Sequence, residues 1–173
     1  PERMDEIGEE AFRGCTALRE VEIPQGVRFV EAGTFSGCTA LQCVTLPKSV
    51  ERLREHAFKG CTKLSTVTFT SDQTGGCVIE SGAFDGCTSL NNASVEAILK
   101  TTQVVESNVF ANCTGLTEIT IPSNINTIKS NAFANDNQLT KVNVPAIAAI
   151  RNNFFIIVSI LKVQLQLSFL VQR

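Results

Sequence analysis

The stretch AFRGCTALREVEIP, residues 11–24, holds a phenylalanine, a Gly-Cys step, a leucine and then Val-x-Ile-Pro. TFSGCTALQCVTLP (34–47) and NVFANCTGLTEITIP (108–122) restate it. Aligned on phenylalanine, the phrase returns at Phe12, Phe35, Phe58, Phe84, Phe110 and Phe133, at spacings of 23, 23, 26, 26 and 23 residues. A period in this range marks a solenoid, because one such unit cannot bury its apolar face alone and must stack on the next.

Each position of the unit has a physical reading. Three residues past the phenylalanine stand Cys15, Cys38, Cys61, Cys87 and Cys113, with Asp136 in the sixth unit. Leu18, Leu41, Leu64, Leu90, Leu116 and Leu139 follow at plus six. At plus nine and plus eleven come Val21/Ile23, Val44/Leu46, Val67/Phe69, Ala93/Val95, Ile119/Ile121 and Val142/Val144, an alternation that predicts a short strand with two inward side chains. Proline follows at Pro24, Pro47, Pro122 and Pro145 and, lacking an N–H, turns the chain out of the ladder. Just before the cysteine position stand Gly14, Gly37, Gly60, Gly86, Asn112 and Asn135, the residue types that best tolerate positive φ. A left-handed turn residue is expected there. Five residues before each phenylalanine is another aliphatic: Ile7, Val30, Leu53, Ile79, Val105 or Ile128.

The two longer units carry extra residues near 71–76 and 97–102, which are expected to emerge as loops on one face. Residues 146–173 keep only a trace of the pattern, in Ile150, Phe155 and Leu161, and then alternate from Val163 to Val171. They read as a degenerate last rung or a C-terminal cap. The apolar run from Phe154 to Leu161 falls far short of the roughly 20 residues of a membrane span, and Lys162, Gln164 and Gln166 interrupt its continuation. One domain is expected over 1–173, regular over 1–145. Pro1 already stands inside a repeat with no leader before it, so a processing boundary or a cut is expected there.

The pattern L-x-x-V-x-I-P … I-x-x-x-A-F-x-G-C, with words such as EIGEEAFRGCTALREVEIP (6–24) and IKSNAFANDNQLTKVNVP (128–145), closely resembles the BspA-like leucine-rich repeats of surface proteins in bacteria and some protists. The resemblance covers residues 5–145. It implies an α/β leucine-rich-repeat right-handed solenoid, strand-rich with little helix. One parallel sheet is expected, with about six rungs of 23–26 residues and a degenerate C-terminal rung. It also implies a surface or secreted module for binding and adhesion with no chemistry of its own. Asp136 in a cysteine position and the tail from 146 onward depart from the family pattern.

Composition bounds the function further. A net charge of −2 gives no electrostatic case for nucleic acid or an anionic membrane. Trp and Tyr are absent, which removes the usual stacking platforms and interface anchors. The in-phase cysteines read as small hydrophobes filling the space under each turn and not as a metal or redox ladder. Metal sites bring histidine or a close second cysteine, whereas these are 23 or 26 residues apart and His56 is the sole histidine. Cys43 and Cys77 lie outside the phase, and Cys43, beside Val44, is expected to face outward as the more reactive thiol. His56 reads as a solvated or hydrogen-bonded side chain. No nucleophile–base pair, phosphate loop or carboxylate pair stands out, so no catalytic residue, cofactor or metal is expected. The sequons at Asn92 and Asn112 bear on function only if the chain passes through a eukaryotic secretory pathway.

If Val and Ile point inward, the flanking residues form an outward strand face of Glu20, Glu22, Cys43, Thr45, Thr66, Thr68, Asn92, Ser94, Glu118, Thr120, Lys141 and Asn143. Sheet faces of solenoids are common recognition surfaces, though Thr is also frequent on a merely solvated pleat. The expectation is a non-enzymatic protein-recognition module, at the cell surface or secreted, that binds a host or matrix protein or a glycan. The alternative is a structural or intracellular scaffold whose partner is a protein of the same cell.

Overall fold

The computed structural model describes residues 4–70 and 76–144, and the tail expected to form the last rung or cap lies outside these. In chain order the elements are β1 (Glu6–Ile7), β2 (Glu20–Glu22), β3 (Phe29–Val30), β4 (Cys43–Leu46), β5 (Arg52–Leu53) and β6 (Thr66–Phe69). Then come β7 (Val78–Ile79), α1 (Asn92–Thr101), β8 (Val104–Val105), β9 (Glu118–Thr120), β10 (Thr127–Ile128) and β11 (Lys141–Asn143). Every strand pairing is parallel. The chain is therefore a strand-rich parallel solenoid, each unit lying on the one before it, as a leucine-rich-repeat architecture requires.

The single sheet expected from sequence is corrected to two ladders on two sides of the coil. The wide ladder uses the Val-x-Ile strands, in the order β2-β4-β6 and, separately, β9-β11. The narrow ladder, β1-β3-β5-β7 and then β8-β10, uses the aliphatics five residues before each phenylalanine. Its strands are two residues long because only one inward side chain per turn is available to anchor them. Register follows the repeat: Val21 opposes Val44, which opposes Val67, and Val30 opposes Leu53, which opposes Ile79. Between the ladders lies the core, in which Leu41, Leu64, Leu90 and Leu116 are fully buried. At about 1.5–3 kcal/mol per fully buried aliphatic side chain, this stacking is the main stabilising term.

The phenylalanines form a continuous column. Rings from Phe12 to Phe133 lie 5.2–5.8 Å apart between centroids and within 15° of parallel. Each ring enters from a turn whose backbone is left-handed two residues after it, at φ values from 59° to 76° in Gly14, Gly37, Gly60, Gly86, Asn112 and Asn135. The Gly/Asn exchange in the sequence thus reports a backbone requirement. A second left-handed column, two residues before each phenylalanine, was not foreseen: Glu10, Gly33, His56, Gly82, Asn108 and Asn131 all have positive φ. Residue type there is too varied to give a pattern. His56 is accounted for by this column, its imidazole filling the space where a side chain at Gly82 would stand.

All seven cysteines are free thiols. Cys38, Cys61, Cys87 and Cys113 are buried in one line, and each Sγ donates to the carbonyl of the phenylalanine one unit earlier, at 3.1–3.3 Å. That carbonyl already accepts the amide of the cysteine in its own unit, as Phe35 does from Cys38 at 3.1 Å. The thiol therefore serves the second lone pair of a buried acceptor, which explains why a small residue with a weak donor recurs here. Burial pushes these thiols up, Cys61 to about 12. Cys15, expected in the same core, is corrected to exposed, since it lies on the first described unit.

The fourth unit departs from the expectation most. Residues 97–102 were expected as a looped insertion after an Ala93/Val95 strand, and instead the segment folds as α1. Asn91 caps it, accepting the Ser94 amide at 2.8 Å. Val95, Ile98 and Leu99 then bury one helical face. At the other end, the Asn124 amide donates to the Leu99 carbonyl at 2.9 Å, so the next unit covers the open helix terminus. Among the described residues no helix is long and apolar enough to cross a membrane.

Candidate recognition face

The outward residues of the wide ladder are set in rows by the register. Glu20 opposes Cys43 and Cys43 opposes Thr66, while Glu22, Thr45 and Thr68 form the second row. Beyond α1, Lys141 opposes Glu118 and Asn143 opposes Thr120. The hydroxyls of Thr45 and Thr68 lie 3.2 Å apart. On the far side, Lys141 Nζ and the Asn143 amide both donate to Glu118 Oε1 at 2.8 Å. These two hydrogen bonds, the Lys141 one foremost, hold the Glu118 carboxyl below its ordinary range. The face therefore runs from two free-standing glutamates, through hydroxyls, to a tied Lys–Glu–Asn group.

Two of the twelve residues expected on this face are not on a strand. Asn92 and Ser94 belong to α1. Ser94 is buried: its hydroxyl accepts the Val67 amide at 3.0 Å and donates to the Ser65 carbonyl at 3.1 Å. It stands in for part of the strand that the unit lacks. Asn92 instead bonds Thr117, through both its amide nitrogen and its oxygen, at 3.3 Å each. The second sequon asparagine, Asn112, is likewise engaged, donating to Asp85 at 2.7 Å and accepting from Asn135 at 2.9 Å.

Helix α1, in the place of a strand, makes a wall beside the sheet. Between this wall and β6 lies an open groove of about 500 Å³, lined by Thr66, Thr68 and Phe69 on one side and Ala93, Ala97 and Lys100 on the other. The signal for it was legible: Asn91 followed by Val95, Ile98 and Leu99 at helical spacing, with no proline closing the unit. The narrow-ladder side offers a different surface. There the guanidinium of Arg28 lies 5.0 Å from the Phe29 ring centroid and that of Arg54 5.9 Å. Arg28 and Arg54 are also bound to Glu51 and Glu31, at 2.8 and 3.2 Å. These ion pairs repeat with the rungs and bind one unit to the next.

Cys43, expected to face outward, is half-buried, and the more accessible sulfur is that of Cys15. Among the described residues no group of histidine, cysteine or carboxylate side chains is arranged to hold a metal ion.

Comparison with known proteins agrees with this geometry. The chain matches the BspA type leucine rich repeat region, with 6 copies, over residues 1–96 and 73–170. No curated protein matches it in sequence. Among solved structures, it is similar to the T. pallidum leucine rich repeat protein, at 32% identity and a TM-score of 0.60, covering 72% of this chain and 58% of that one. A leucine rich cell surface protein from Faecalibacterium prausnitzii aligns at 29% identity and TM-score 0.60, over 73% of this chain and 32% of that one. A leucine-rich repeat protein from Bacteroides ovatus, at 23% identity and TM-score 0.55, covers 82% of this chain and 41% of its own and shares the fold. The chain thus spans from about a third to under two thirds of the proteins it resembles. Repeat family, six-fold periodicity and parallel solenoid coincide, and the chain belongs to the BspA-type leucine-rich-repeat family.

Proposed function

We propose that this chain is a non-enzymatic protein-recognition module of a cell-surface or secreted protein, binding a host or matrix protein through the wide-ladder face. Leucine-rich-repeat families serve in general as protein-interaction scaffolds, which supports the coarse reading. The single observation that carries the finer one is the row of outward side chains in register, Glu22, Thr45 and Thr68, ending at the groove beside α1. Glu20, Cys43, Thr66, Glu118, Thr120, Lys141 and Asn143 extend the same surface, and Asn92 touches its edge through Thr117. The unit of function is the whole solenoid, residues 1–173 as one domain. The face lacks Trp, Tyr and Arg, so each contact is modest and repeated copies add avidity.

The test is binding of the purified chain to a panel of extracellular-matrix proteins and host-cell surfaces, beside a double variant Thr45→Lys, Thr68→Lys. Both threonines project from the sheet, so the variant is expected to keep its melting temperature and lose binding by at least about tenfold, roughly 1.4 kcal/mol. Binding unchanged in a folded double variant would remove the wide face from the reading.

A further inference from the structure

The helix in the fourth unit leaves a strand edge open. In β6 the backbone groups of Thr66, Thr68 and Thr70 turn toward β4, as the Thr66 amide bond to the Gln42 carbonyl (3.1 Å) and the Thr70 bond to Leu46 (3.0 Å) establish. Groups on a strand alternate sides, so the Ser65 carbonyl and the groups of Val67 and Phe69 turn the other way, toward α1, while the Ser65 amide shares the Gln42 carbonyl at 3.0 Å. Ser94 satisfies two of them, the Val67 amide and the Ser65 carbonyl. The Phe69 amide and the Val67 carbonyl have no partner among the described residues, whereas the equivalent Leu46 and Val44 groups in β4 face the paired strand β6.

These two groups lie on the wall of the groove between β6 and α1. One donates, the other accepts, and they stand two residues apart on one edge. That is the spacing at which an added polypeptide strand bonds, and unpaired edges of this kind template such pairing. The groove is large enough for a small ligand or a few residues of peptide. Across it stands Lys100, exposed in the last turn of α1 and in no ion pair among the described residues. Its charge complements an acidic side chain.

We propose that the groove takes an extended, acid-bearing peptide segment of a partner protein, which adds as a strand to the open edge of β6 and sets a carboxylate against Lys100. This deepens the reading of the wide face as a recognition surface and rests on it. The helix is then what gives the repeat a defined site: one unit that fails to supply a strand leaves room for a strand from elsewhere.

The test selects a displayed random peptide library on the full chain and remakes the enriched sequences as synthetic peptides. Enrichment of Asp or Glu within β-branched runs is expected. Binding should fall about tenfold or more with Lys100→Glu, with Ala97→Glu, and with N-methylation of the peptide amide that meets Val67. Amide exchange at Phe69 should be fast in the free chain and protected in the complex, while Thr70 is protected in both. Lys100 is exposed, so its variant folds even where the Ala97 variant does not. No enrichment, or peptides indifferent to Lys100→Glu and to N-methylation, would overturn strand addition. If matrix binding were still lost on Thr45→Lys, Thr68→Lys, the recognition face would stand and the strand-edge site alone would fall.

Discussion

Asp136 shows how much one position can depend on its neighbours. It occupies the cysteine place of the sixth unit, is 6% exposed, and neither carboxyl oxygen has a hydrogen-bond partner among the described residues. Burial raises its pKa from 3.8 to about 7, and the nearby Cys113 backbone, too poorly placed for a hydrogen bond, opposes this only in part. The nearby Cys113 thiol stays neutral, its own pKa raised first by burial and then by this carboxyl. Between pH about 4 and about 7 the folded chain keeps the Asp136 proton that the unfolded chain has lost, so stability falls as pH rises through this window and levels off above it. The full effect is at most roughly 4 kcal/mol, at about 1.4 kcal/mol per pKa unit. Asp136→Cys, which restores the repeat residue, is expected to be more stable than the parent at pH 8 and close to it at pH 4.5. Thermal melts of both chains across that range check this, and a difference that does not grow with pH would contradict it. The thiols give a second test at this scale. Native protein should react at Cys15 and, more slowly, Cys43, while denatured protein without reductant should yield all seven. Recovery of a single thiol from denatured protein would mean that disulfides hold the column instead.

At the scale of elements, the decisive exchange is helix for strand in the fourth unit. Ser94 is the joint between the two, because its hydroxyl both accepts from and donates to the edge of β6. Ser94→Ala leaves the buried Val67 amide unserved and the Ser65 carbonyl with only the Asn91 amide, at 3.3 Å, and is expected to cost roughly 1–3 kcal/mol, read from denaturant unfolding. Ser94→Thr retains the hydroxyl and should recover part of that loss. An unchanged midpoint for Ser94→Ala would show that water replaces the hydroxyl without cost. The strand pattern read from sequence was right where aliphatic-x-aliphatic-Pro was intact, at β2, β4, β9 and β11, and also at β6, which lacks the proline. It failed where Asn91 could cap a helix and no proline stopped it.

Over the whole molecule, stability is close to a sum of neighbouring stacks, since among the described residues the bonds between units join a unit to the one before or after it, the Gln25–Thr70 bond apart. A buried change in one unit therefore weakens two interfaces. Leu116, fully buried between the fourth and sixth units, is expected to lose roughly 2–5 kcal/mol on replacement by alanine. A melting temperature unaffected by Leu116→Ala would contradict the register on which every contact depends. The paired ladders also give the coil two unlike faces. One carries hydroxyls beside a groove, and the other carries arginines over Phe29 already tied to glutamates of adjacent units. The first is the face we propose for recognition, because its groups are less committed to the fold.

By itself the sequence determined the repeat, its register, the left-handed turns at Gly/Asn and the inward aliphatics. Each of these is a local steric or periodic demand that one residue type meets best, and six copies print it repeatedly. Only the tertiary structure decided the second ladder, the thiol-to-carbonyl bonds, the state of Asp136 and the groove with its open strand edge. Those depend on what residues 22–29 positions away place opposite one another, as Cys38 meets Phe12 and Ser94 meets Val67. Such contacts are set by stacking geometry, which no single unit contains.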